Sequence, residues 1–197
     1  MSEVRAWLAR RAAFPLTAVL ITAAAMLWHH LPVPTQIYAP FDVHGSLGSQ
    51  VCGRSLAVTV TGVRIAPRAK FPLGPHSTST MSAAGLWVVV DATVSAVESS
   101  THAAADLVVG ANTYEVSLRP LLGYGVRIDP GLPQHGYWAF EAAPELIQPS
   151  LAKPFQLRVW PGGENRLSSR VVIDLDNRPP ERADLVTVKP YVIGPGK

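Results

Sequence analysis

Cysteine is almost missing from this chain: Cys52 is the only one in 197 residues. No intrachain disulfide and no cysteine-based zinc cluster can form, so the fold must rest on its packed interior. A lone cysteine is most often a small buried apolar residue, and that is the expectation for Cys52. Its neighbours, Gln50-Val51-Cys52-Gly53, do not form a lipid-attachment box. Charge is sparse too, at 16% of residues against 48% hydrophobic. That balance excludes a disordered polyelectrolyte and leaves enough apolar surface for one ordinary domain.

A basic stripe is also lacking. The net charge is +3, but residues 31–176 hold ten basic and eleven acidic side chains, and the excess sits in the two ends. Phosphate binding needs clustered cations that release counterions, so nucleic acid is not an expected partner. Hydrolase, zinc-protease, Walker A and dinucleotide signatures are absent, and Gly123-Tyr-Gly125 lacks the strand-to-helix setting of a phosphate loop. The histidines, His29, His30, His44, His76, His102 and His135, show no metal-ligand spacing. No catalytic, cofactor-binding or metal-ligating residue is assigned, and no cofactor is expected; the chain reads as a non-enzyme.

The longest uncharged run is Ala12 to Trp28, seventeen residues. At about 1.5 Å per residue a helix of that length reaches roughly 26 Å, near the lower limit for a hydrocarbon core of about 30 Å. Residues 12–31 therefore read as a transmembrane signal-anchor helix, with Phe14, Leu16, Val19, Leu20, Ile21, Leu27 and Trp28 facing lipid and Pro15 in the first turn. Arg5, Arg10 and Arg11 precede it, and the next basic residue is Arg54. Residues 1–11 are then the cytoplasmic basic N-terminus, and the rest of the chain is extracytoplasmic. The competing reading is a signal peptide cleaved after Ala23-Ala24-Ala25.

Residues 32–49, with three prolines by Pro40, read as a stem. Beyond it, Leu56, Val58 and Val60 alternate with Ala57, Thr59 and Thr61, a half-buried strand. Leu86 to Ser95 is apolar on both faces except for Asp91 and Thr93, as in a central strand. Asp106–Gly110 and Thr113–Ser117 suggest a hairpin, and further strands follow at Gly136–Glu141, Pro154–Trp160 and Ser169–Asp176. No sustained helical periodicity follows Leu31, so residues 50–176 read as an all-β, antiparallel, immunoglobulin-like β-sandwich. Arg68–Ala84 reads as a long loop, and Asn177–Lys197 mostly as an extended, mobile, proline-rich tail, in which Leu185-Val-Thr-Val-Lys189 could pair as an edge strand.

The order Val60-Thr-Gly-Val-Arg-Ile-Ala66, Gly85-Leu-Trp-Val-Val-Val-Asp-Ala-Thr-Val94, Asp129-Pro-Gly to Phe140-Glu141, and Val171-Val-Ile-Asp-Leu175 resembles the bacterial telokin-like, immunoglobulin-like family of exported proteins. The likeness spans about residues 50–176. It implies a sandwich and an exported binding or accessory role, with no catalytic residues. Two departures are Ser95, where the family commonly has Asn, and the missing lipobox cysteine, which leaves the hydrophobic helix as anchor.

Other polar pairs have simple readings. Asp42 and His44 share a face but lack a third ligand for a metal, and Asp174 and Asp176 share the outward face of the last strand. Tyr124, Tyr137, Trp138 and Trp160 read chiefly as core, with a sugar- or peptide-binding platform as the alternative. The expected partners are a membrane or cell-envelope protein and, through the helix, the lipid bilayer. The alternative is a small ligand held by the loops Arg68–Ala84 and Leu121–Gln134.

Overall fold

A computed structural model describes residues 2–31, 38–74, 76–120, 127–147, 154–162 and 167–194, with side chains from Pro15 onward. The chain divides into two compact units, Met1–Ala39 and Pro40–Lys197.

The first unit is one helix, α1 (Ser2–His30). It starts ten residues before the uncharged run, because Ala, Leu and Arg in the basic N-terminus are themselves good helix formers. Pro15 therefore lies inside the helix and not in its first turn, and costs it one backbone hydrogen bond. Leu16, Val19, Leu20, Ile21, Leu27 and Trp28 are all exposed; the Phe14 side chain lies outside the described residues. Among the residues whose side chains are described, which in α1 begin at Pro15, no helix is long and apolar enough to cross a membrane.

The second unit is built from two sheets. One holds β1 (Phe41–Ser46), β5 (Ala103–Val109), β6 (Asn112–Glu115), β8 (Phe155–Pro161) and β9 (Ser169–Asp174), in the order β1-β9-β8-β5-β6. The other is centred on two long strands, β3 (Leu56–Pro72) and β4 (Thr78–Ala96), followed by β7 (Gln134–Ala142). The short β2 (Gln50–Cys52) pairs with β3. Between the sheets lies a core in which Val58, Val60, Val88, Val90, Trp138 and Phe140 meet Leu107, Leu157, Val159 and Ile173. The period-2 patterns place these residues on the inner faces. In the β5–β6 hairpin, Gly110 takes a φ of 61°, the left-handed conformation its turn requires.

Several parts of the chain differ from the sequence expectation. The sandwich begins at Phe41, inside the stretch read as stem, where β1 pairs parallel with β9. The sheets are therefore mixed rather than purely antiparallel. Arg68–Ala84 is not a loop: β3 and β4 continue through it as a hairpin arm, pairing Arg68 with Ser82 and Pro72 with Thr78. Threonine favours strands, and Ala69 and Phe71 on one side and Met81 and Ala83 on the other supply the alternation that the Ser- and Pro-rich composition hid. The C-terminal segment is not loose either. β10 (Glu181–Arg182) and β11 (Leu185–Thr187) run parallel to β3, and β12 (Val192–Ile193) pairs with β7.

The arm and β11 cover the outer face of the seven-stranded sheet. Phe71 packs edge-on against Trp87 at 5.0 Å and lies 5.9 Å from Tyr137, and all three rings are buried. Val89, Ala139, Val186 and Val188 complete this second core. Tyr137 and Trp138, adjacent on β7, thus point to opposite sides, yet both are buried because both faces are covered.

Cys52 is exposed, contrary to the expectation of a buried thiol. It sits in a three-residue strand that alternates exposed, buried, exposed, and Val51 is the inward residue. One thiol per chain is expected to react with Ellman's reagent in the folded protein; a thiol reacting only after denaturation would contradict this placement.

Candidate functional site

A cleft of about 930 Å³ opens on the outer face of the seven-stranded sheet, where the covering layer ends. Its floor is made by Arg64 of β3, Asp91 and Thr93 of β4, and His135 of β7. Gly62 and Gly136 expose bare backbone between them. Its walls come from the C-terminal segment: Arg178, Pro179, Pro180 and Glu181 on one side, Lys189, Pro190 and Val192 on another.

The floor is fixed by mutual contacts. Arg64 donates from Nε to Asp91 Oδ2 at 2.7 Å and from Nη2 to Asp91 Oδ1 at 2.6 Å, a two-pronged pair that fits the planar guanidinium. Its remaining Nη1 donates to the Thr187 carbonyl at 2.7 Å, tying the C-terminal segment to the sheet. His135 Nε2 lies 3.1 Å from the Gly194 carbonyl, and Nδ1 lies 2.8 Å from Thr93 Oγ1. A carbonyl only accepts, so Nε2 carries the proton, and in the neutral ring Nδ1 accepts from the Thr93 hydroxyl.

The walls are set by backbone bonds. Val188 N–H donates to the Lys70 carbonyl at 2.9 Å, and Gly194 N–H to the Pro133 carbonyl at 2.9 Å. Arg182 Nη2 donates to the Ile147 carbonyl. None of the ion pairs among the described residues involves Arg178, Glu181 or Lys189.

Glu141 braces the neighbouring arm. Burial alone would raise its pKa, but donors from Ala84 N–H, Ser117 and Arg119 together hold it below the usual range. The Arg119 guanidinium also lies 5.5 Å over the Trp87 ring.

Next to the floor, burial pushes the Tyr137 phenol up to about 12. The fold favours the neutral phenol over an unfolded value of about 10, so this contribution to stability is whole below pH 10 and is lost as pH rises toward 12. Burial also raises the Tyr191 phenol, so in an ultraviolet phenolate titration more than one tyrosine should ionise late or only with unfolding, and Tyr137→Phe should make that late step smaller by one tyrosine. A variant with an unchanged curve would contradict the assignment.

Of the polar pairs singled out in the sequence, Asp42 is bound by Arg170 at 2.8 and 2.9 Å, and that hydrogen-bonded pairing lowers its pKa. Asp174 accepts from Gln156 at 2.7 Å. Among the described residues, no group of three His, Cys, Asp or Glu is placed to hold a metal. Trp138 lies in the inter-sheet core, Trp160 is half-buried, and Tyr124 lies outside the described residues. The described residues of Arg68–Ala84 and Leu121–Gln134 give no side chain to the cleft; residue 75 of the first and residues 121–126 of the second lie outside the described residues. The floor residues were not singled out as a site, although Asp91 and Thr93, the polar interruptions of the central strand, carried the signal.

The fold defines a mostly-β protein of two packed sheets. No family model and no curated protein matches the chain. Among solved structures, an uncharacterized β-sandwich protein from Clostridium difficile is similar over 68% of this chain and 95% of its own, at 9% identity and a TM-score of 0.46.

Proposed function

We propose that the chain is a membrane-tethered, extracytoplasmic, non-catalytic interaction protein of the bacterial cell envelope, an accessory subunit of an envelope or transporter complex. The resemblance to telokin-like, immunoglobulin-like exported proteins belongs to the same reading. The tether is α1, supported by the uncharged run Ala12–Trp28, the preceding arginines and the exposed apolar side chains from Leu16 to Trp28. The observation that carries the binding role is the cleft. Its floor groups are engaged with one another, while Arg178, Glu181 and Lys189, which enter no ion pair among the described residues, line the walls. A preorganised floor suits recognition at low ordering cost.

The second reading, a secreted or anchored small-ligand binder, is favoured by the cleft's size. Its 930 Å³ falls within the roughly 300–1,000 Å³ of small-molecule sites.

The test is to purify the full chain from membranes of its native host, with a Gly62→Leu variant alongside. A side chain at Gly62 starts in open space, its Cβ meeting only Asp91 Oδ2 at 3.9 Å, so leucine fills the cleft without backbone strain. The expected result is an uncleaved mass and a stoichiometric membrane partner lost from the variant. A chain beginning after Ala25, soluble and alone, would overturn the proposal in favour of the second reading.

A further inference from the structure

The residues lining the cleft carry three basic side chains, Arg64, Arg178 and Lys189, and two acidic ones, Asp91 and Glu181. Arg64 and Asp91 neutralise each other on the floor, and Arg64 Nη1 also donates to the Thr187 carbonyl. Two exposed cations and one exposed anion are left to face a ligand. This surplus is local. Residues 31–176 hold ten basic and eleven acidic groups, whereas residues 177–197 hold four basic and two acidic ones. Of the charges in the C-terminal segment, Arg178, Lys189 and Glu181 line the cleft, a net of +1 there, while Arg182 donates to the Ile147 carbonyl and Lys197 lies outside the described residues. Pro179, Pro180, Pro190 and Val192 set apolar surface beside the two cations.

We infer that the cleft takes a carboxylate-bearing ligand with an apolar body, the carboxylate bound between Arg178 and Lys189 and the apolar part laid on the prolines and Val192. This deepens the proposed binding role and rests on the cleft being the binding site. The carboxylate is carried by an acidic extended peptide or by a small free acid, since the recognising groups are the same. Both cations are solvent-exposed, so their contacts weaken with added salt.

The experiment selects phage-displayed random decapeptides on the full chain held in detergent. The Gly62→Leu variant and the Arg178→Glu/Lys189→Glu double variant are run in parallel, and the recovered peptides are then competed with free glutarate. The expected result is enrichment of peptides rich in Asp and Glu, abolished by Gly62→Leu, with affinity lowered about tenfold or more by the double charge reversal. Displacement by millimolar glutarate would also support the inference and mark the small acid as the source; resistance to it would mark the peptide. Enrichment of neutral or basic peptides that Gly62→Leu still abolishes would overturn the carboxylate inference while sparing the cleft as the binding site. Enrichment indifferent to Gly62→Leu, or none, would overturn both.

Discussion

Trp87→Ala should lower the unfolding free energy by about 3–5 kcal/mol, the range for removing a large aromatic from a packed interior. Trp87 has no exposed surface, meets Phe71 at an interplanar angle of 74°, and donates from Nε1 to the Met81 carbonyl at 3.0 Å. Met81 belongs to the arm, so the indole is both the floor of the outer core and the bond that holds the arm down. Alanine would leave a cavity that the arm cannot fill, because residues 68–72 and 78–82 are paired rigidly with each other. Val186 and Val188 would lose their footing as well, and the cleft wall with them. Urea unfolding of the full chain measures the loss, and limited proteolysis should cut first within residues 68–84. A cost below about 1.5 kcal/mol, within the range of a volume-conserving swap, would show that the arm is not seated on this ring.

The same outer core shows where the sequence was readable and where it was not. Alternation in Leu56–Thr61 and the apolar run from Leu86 identified β3 and β4, and the absence of helical periodicity excluded an α/β sheet; these are local patterns that one sheet face enforces. The arm was missed because its serines, threonines and flanking prolines look like loop residues. What makes it a strand is Phe71 landing on Trp87 and Tyr137, contacts made across 16 and 66 positions of sequence. In the C-terminal segment the alternation at Leu185–Lys189 marked a candidate edge strand, but neither its partner nor the pairing of the rest of the segment could be read, for a related reason. Parallel pairing of Leu185–Thr187 with Arg68–Lys70 spans more than a hundred residues, and no turn chemistry announces it. Cys52 followed the rule for its residue type only until strand register placed Val51 inward in its stead. The cleft inherits all of these long-range facts. Asp91 and Thr93 stood out as polar residues in an apolar strand, but their partners Arg64 and His135 lie 27 and 42 residues away. The walls come from a segment read as mobile.

Arg64→Leu should cost about 2–3 kcal/mol and Asp91→Leu slightly less, and the double variant should cost clearly less than their sum. Breaking a fully buried pair by removing one partner costs about 3–5 kcal/mol. Here the side chains retain 18% and 27% of their exposure, so water compensates part of the loss. The arginine variant is the worse of the two because it also removes the donor to the Thr187 carbonyl, whereas Asp91→Leu leaves that bond intact. Two measurements separate these effects. A double-mutant cycle on unfolding of the full chain should give a coupling of about 1–2 kcal/mol, little changed by salt because the pair is shielded. Hydrogen exchange should quicken at residues 185–188 in Arg64→Leu and much less in Asp91→Leu. Additive costs, or equal exchange in the two variants, would mean that Arg64 does not link the sheet to the C-terminal segment. The cleft wall would then rest on its backbone pairing with β3 and β7 alone.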